Sequence, residues 1–147
     1  MRLYFMSLWI ILTSKVINAQ DTKLITGRII SEDLELIPGM KIHSMDSALL
    51  GSTDIDGYFK IEAPIETSEL LLGAVGMEWT SIKIEDDCQN LEMVAMVHVI
   101  YDFITLKKEN RKRRKRFKQL AKKHKGAHEQ GIFKSGEPCV CYMFNEF

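Results

Sequence analysis

Along residues 23–31, Lys-Leu-Ile-Thr-Gly-Arg-Ile-Ile-Ser, the side chains alternate: Ile25, Gly27 and Ile29 fall on one face and Leu24, Thr26, Arg28 and Ile30 on the other, which predicts a strand. The alternation resumes over 40–44, after a Pro38-Gly39 step whose missing proline N–H marks a strand start or an edge. Residues 48–54 then lead into Ser52-Thr53-Asp54-Ile55-Asp56-Gly57-Tyr58-Phe59-Lys60-Ile61, a tight turn feeding a strand that closes at Ala63-Pro64. In that turn the Asp54 and Asp56 carboxylates can fold back onto nearby backbone N–H groups, and Gly57 can take the positive φ that the corner demands. Leu70, Leu71 and Leu72 belong to an apolar run, 68–75, that suits a strand covered on both sides or an inner strand. Residues 79–85 alternate again, and 91–101 form a last long β-prone run beyond the acidic turn Glu85-Asp86-Asp87. Short strands separated by Gly, Pro and Asp turns predict an all-β sandwich of seven strands or so, antiparallel or nearly so.

The corner Thr53-Asp54-Ile55-Asp56-Gly57-Tyr58-Phe59-Lys60-Ile61 resembles the signature of the carboxypeptidase-like regulatory domain, a small transthyretin-like β-sandwich. Ile25-Thr26-Gly27-Arg28-Ile29 is similar to that family's first strand, and residues 32–39 to its following turn and Pro-Gly step. Ala74-Val75-Gly76-Met77-Glu78 keeps the Gly and Glu of its next corner and replaces both aromatics. The resemblance covers 23–97 and implies a fold rather than an activity. In zinc carboxypeptidases the similar sandwich stands beside the catalytic domain, and in outer-membrane receptors it precedes the plug and barrel; neither companion fits within 147 residues.

From Thr105 the pattern changes to a helical one. No Gly or Pro occurs until Gly126, and Phe117, Leu120, Ala121 and His124 form a stripe at i, i+3, i+4 and i+7. Residues 127–133 suit a short second helix and 134–147 an extended end, whose Tyr142, Phe144 and Phe147 suit packing on the sandwich. Six consecutive cations, Arg111, Lys112, Arg113, Arg114, Lys115 and Arg116, wrap round the helix; like charges at i and i+4 cost a few tenths of a kcal/mol each, and only Glu109 with Arg113 offsets any of it. Such a helix calls for an anionic partner: the acidic domain in cis, a phosphate-bearing surface, or nucleic acid.

Charge sharpens that division. The formal net charge is zero, yet residues 20–106 hold 16 acidic and 5 basic side chains, or −11, whereas 107–147 hold 13 basic and 4 acidic, or +9. With 46% hydrophobic and 27% charged residues, the chain has room for one small domain with appendages. Met1-Arg2 followed by an apolar run over 3–13, ending Asn18-Ala19-Gln20, reads as a cleavable signal peptide rather than a transmembrane helix, and resembles those of Gram-negative Bacteroidota. The expected organisation is therefore a leader at 1–19, a sandwich at 20–101 and a basic helical tail with an extended end at 102–147, exported to the periplasm, the outer membrane or beyond, with no membrane-spanning segment in the mature chain.

Export puts Cys88, Cys139 and Cys141 in an oxidising setting. A disulfide from Cys88 to Cys139 or Cys141 would pin the tail onto the domain, and closing a loop of about 50 residues stabilises by roughly 4 kcal/mol in the chain-entropy model. Cys139 is favoured because a Pro138-Cys139 step is extended; three free thiols are the alternative. His124, His128, Cys139 and Cys141 have the residue types of a zinc site without its usual spacing, and the histidines read as solvent-facing. Asp54, Asp56 and Glu62 lack the further oxygen ligands of a calcium loop and read as a turn. No nucleophile elbow, metalloprotease helix or glycine-rich phosphate loop is present, so no catalytic, cofactor-binding or metal residues are assigned. The expected function is a non-enzymatic binding or assembly module at the cell envelope. Its partner is an envelope protein or, if the tail is an electrostatic anchor, an anionic membrane surface; nucleic acid is disfavoured because an exported protein seldom meets it.

Overall fold

The computed structural model describes residues 21–86, 88 and 90–146. The expected leader and Phe147 lie outside the described residues. The elements are β1 (Thr22–Ser31), β2 (Lys41–His43), β3 (Leu49–Ser52), β4 (Tyr58–Pro64), β5 (Glu69–Gly73), β6 (Thr80–Ile84), β7 (Asn90–Ala95), α1 (Leu106–Phe117), α2 (Leu120–Glu129) and β8 (Val140–Met143). Two sheets result, one ordered β4-β1-β7 and the other β3-β2-β5-β6-β8. Their inner faces share one core: Ile25 and Ile29 of β1, Phe59 and Ile61 of β4, and Leu91 and Met93 of β7 face Ile42, Leu70, Leu72, Ile82 and Val140. The two layers form a β-sandwich with helices attached.

The sandwich region supplies seven strands, β1–β7, and the extended end adds β8, making eight among the described residues. One pairing departs from the antiparallel pattern: β1 pairs with β7 in parallel, Gly27 opposite Leu91 and Ile29 opposite Met93. Alternation reports which residues face inward but not strand direction. The chain leaves β6 in the larger sheet, turns at Glu85, and enters β7 beside β1 in the smaller one. The apolar run beyond residue 90 also leaves the sheet early: β7 ends at Ala95, and Val97 makes only an isolated bridge to Met77.

Gly27 holds the centre of the smaller sheet. A Cβ there would lie 2.0 Å from the Leu91 carbonyl oxygen and 2.7 Å from the Phe59 ring, so the close approach admits no side chain.

The helical segment is divided differently from the pattern. The break comes at Lys118-Gln119, where the Gln119 N–H bonds the Arg116 carbonyl at 2.8 Å, and α2 runs through Gly126 to Glu129. A mid-helix glycine costs about 1 kcal/mol, and packing outweighs it. Leu120 and Ala127, with Phe133 beyond the helix, bury Ile30, Val94 and Met96 on the outer face of the smaller sheet in a second core. His124 is wholly buried in α2, which corrects the solvent-facing assignment, whereas His128 is exposed and Ala121, in the expected stripe, faces water. The segment then crosses to the larger sheet, where β8 pairs with β6 antiparallel, Cys141 opposite Lys83.

Candidate functional site

The corner at 53–58 forms as a turn. Asp54 Oδ1 accepts from the N–H groups of Asp56 at 2.9 Å and Tyr58 at 2.8 Å, and Gly57 takes φ +78°. A Cβ on Gly57 would meet the Ile29 carbonyl at 2.5 Å. Asp56 contributes its carbonyl rather than a folded-back carboxylate, accepting from Arg28 Nε at 3.1 Å. Thr53, buried, ties the corner to the Pro38-Gly39 step: its hydroxyl donates to the Ile37 carbonyl at 2.6 Å and accepts from Met40 N–H at 2.9 Å. Asp54 Oδ1 and the Thr53 hydroxyl are thus both spent on the backbone.

Cys88 and Cys139 are joined in a disulfide spanning 51 residues, with Cα atoms 5.9 Å apart, and Cys141 is a free, exposed thiol. Cys139 is thereby removed from the zinc-like set. His124 Nε2 lies 3.1 Å from the Ser135 carbonyl and His128 Nδ1 3.2 Å from that of Phe133; since a carbonyl only accepts, each of these nitrogens carries the proton. Among the described residues no three His, Cys, Asp or Glu side chains converge as a metal site.

The basic helix is where side-chain chemistry concentrates. Thr105, in extended conformation, caps α1 by accepting from Lys108 N–H at 3.4 Å, and Arg114, Lys115 and Arg116 occupy the last turn, where the helix dipole favours cations. The six cations separate by face. Arg113, only 4% exposed, donates from Nε at 3.0 Å and Nη2 at 2.9 Å to Glu78 Oε2, itself on a residue 5% exposed. Its Nη1 donates at 3.1 Å to both Asn110 Oδ1 and the Asn145 carbonyl. Arg116 pairs with Glu32, donates to the Val97 carbonyl at 2.6 Å and approaches Glu78 Oε1 at 3.5 Å. Burial pulls the Arg116 guanidinium down, but its interactions with Glu32, to which it donates, and with Tyr101 more than offset this and leave it above its ordinary value. Arg114 meets Glu146 in an exposed pair, the weak kind. Phe144 lies edge-on to Phe117 at 5.1 Å, with the Arg113 guanidinium 5.3 Å from its centroid, so the chain end closes over the helix.

Opposite these pairs the helix is bare. At about 100° per residue, Lys107, Lys108, Arg111, Lys115 and Lys118 fall on the side facing away from Arg113 and Arg116, and Lys112, one turn before Arg116, lies on the flank between the two sides. All six are exposed, and among the described residues none is in an ion pair. Lys112 alone touches a ring, its Nζ 4.6 Å from the Tyr101 centroid. Among the described residues no helix is long and apolar enough to cross a membrane.

Sequence pattern did not single out Glu78 or Glu32 as partners. Two acids in loops flanked by buried strands were the available sign, and nothing in their spacing from the helix marks the pairing. Comparison with family models, curated proteins and solved structures returns no match.

Proposed function

We propose that this chain is a non-enzymatic, exported binding module of the cell envelope, built on a transthyretin-like sandwich of the carboxypeptidase-like regulatory type, that docks on an anionic surface through the outward face of α1. The observation that carries the docking is the division of the helix: Arg113 and Arg116 are consumed by Glu78 and Glu32, which holds α1 on the sandwich, and six exposed cations, five facing away and Lys112 on the flank, are left on a fixed support. A flexible basic tail would lose conformational freedom on binding, whereas a helix already anchored does not. The regulatory-domain reading is supported by the corner, where Thr53, Asp54 and Gly57 do the structural work that the signature residues suit. Export is supported by the disulfide, a bond that persists in oxidising compartments, and by the leader-like pattern of 1–19. The non-enzymatic reading rests on the sequence, which carries no nucleophile elbow, metalloprotease helix or phosphate loop.

Because the formal net charge is zero, binding to an anionic surface reports the patch and not the mean charge. Sedimentation with vesicles of mixed phosphatidylglycerol and phosphatidylcholine should therefore bring the protein down at low salt and release it at high salt. Pure phosphatidylcholine should not, and neither should anionic vesicles given a variant with Lys107, Lys108, Arg111, Lys112, Lys115 and Lys118 all changed to Gln. Equal binding by that variant would refute the proposal.

A further inference from the structure

The exposed apolar side chains beside α1 are concentrated where the sandwich hands over to the helix. In the link between β7 and α1, Phe103 is fully exposed and Ile100 is 76% exposed, and Leu106, in the first turn of α1, is 54% exposed. The link is held rather than loose. His98 N–H donates to the Gly76 carbonyl at 2.8 Å, the Tyr101 ring sits against Lys112, and Thr105 caps the helix. Phe103 also adopts φ +58°, a left-handed conformation that is costly for a bulky residue. The backbone is thus strained in the act of presenting a phenyl ring to solvent.

Charge surrounds this apolar point. Leu106 shares a groove with Lys107, Arg111 and the Arg114–Glu146 ion pair, and Lys108 follows on the exposed side of the same turn. Asp102 is the one carboxylate within the link; Asp33 and Glu35 lie on the turn after β1. Projecting apolar side chains bordered by cations match the boundary between acyl chains and anionic headgroups, where the rings and aliphatic chains leave water and the ammonium and guanidinium groups stay at the phosphates. We propose that Ile100, Phe103 and Leu106 form a membrane-inserting tip that enters an anionic phospholipid leaflet while Lys107, Lys108 and Arg111 hold its headgroups. This rests on the anionic-surface reading above and adds a component that salt does not remove.

The test uses residues 20–147, which contain every described strand, helix and core side chain, and vesicles of equal parts phosphatidylglycerol and phosphatidylcholine. The double variant I100S/F103S should bind about tenfold or more weakly than the parent, from the apolar area it no longer transfers, and the parent should keep part of its binding at high salt. In F103W the added indole emission, taken as the difference from the parent, should shift to the blue and be quenched by acyl chains brominated near the headgroup. That measurement does not depend on the serine variant's stability. Parent-like, fully salt-sensitive binding by I100S/F103S together with unquenched F103W would overturn the tip and leave the anionic-surface reading intact. Absence of parent binding at low salt would overturn both. A concentration-dependent dimer abolished by I100S/F103S would assign the patch to a second copy of the chain, and overturn the insertion as well.

Discussion

The two sides of α1 carry the same sign of charge and opposite roles. The inward side uses arginine: Arg113 and Arg116 present several donors in fixed directions, and each satisfies a carboxylate and a backbone carbonyl at once. The outward side is mostly lysine, a mobile, strongly hydrated point charge suited to a diffuse partner. A run of six cations that looks uniform in sequence is thus a docking device on one side and a free surface on the other. Position on the helix, rather than composition, separates them.

Breaking the inward side should produce the largest effect. Arg113→Ala leaves the Glu78 carboxylate buried without its main cation, and removing one partner of a buried pair typically costs about 3–5 kcal/mol. Urea unfolding should show that loss, and E78A should match it; a double variant R113A/E78A less destabilised than the sum would show that the penalty belongs to the pair. The disulfide should rank next. Replacing Cys88 and Cys139 by Ser removes a 51-residue closure, worth roughly 4 kcal/mol in the chain-entropy model and less wherever the open chain retains structure. Cys141→Ser, at an exposed free thiol, should leave the unfolding midpoint unchanged.

The sandwich was legible because its inner faces obey alternation: Ile25, Ile29, Phe59 and Ile61 are buried at the positions their spacing assigns. The corner was legible for a different reason, since Asp54 and Gly57 are residue types with few other uses in a tight turn. The helical layer was only half visible. The adjacent pair Ile29-Ile30 and the unbroken run Met93-Val94-Ala95-Met96 are apolar on both faces of their strands, which is the mark of a sheet covered on both sides. Nothing local says what covers it. Leu120, Ala127 and Phe133 do so across a long stretch of chain, and the parallel β1–β7 pair likewise depends on a crossover no short window contains. The candidate site divides in the same way: the cations were plain in the sequence, but Glu78 and Glu32 acquire their meaning only from the fold.

A third, smaller effect should come from His124, which shares the second core with Phe133, its ring 4.7 Å away. Burial pushes its pKa below the ordinary 6.5, opposed by the Ser135 carbonyl and Glu92 and assisted by His128. Within the described residues its Nδ1 has no hydrogen-bond partner. The neutral ring is therefore the native form, and between the lowered native value and 6.5 the unfolded chain binds the extra proton. Stability from this group is whole above about pH 6.5 and declines as pH falls toward the native value. Comparing urea midpoints of the parent and His124→Phe across that interval isolates it, because the variant should lose this part of the slope; identical slopes would mean the imidazole does not titrate differently on folding.

The outward side of α1 should be nearly silent in stability, which is the sharpest form of the contrast. Arg111→Gln or Lys115→Gln removes no buried contact and relieves an i, i+4 repulsion of a few tenths of a kcal/mol. Each unfolding midpoint should stay within about 0.5 kcal/mol of the parent and move, if at all, toward greater stability. Binding should respond in the reverse order. On anionic vesicles each of these substitutions removes about 1 kcal/mol of attraction, several-fold in partition, while binding of a still-folded Arg113→Met chain should fall only as far as the helix loosens. A lysine whose loss unfolded the protein, or an Arg113 whose loss weakened binding without destabilising it, would mean that the two faces had been assigned the wrong way round.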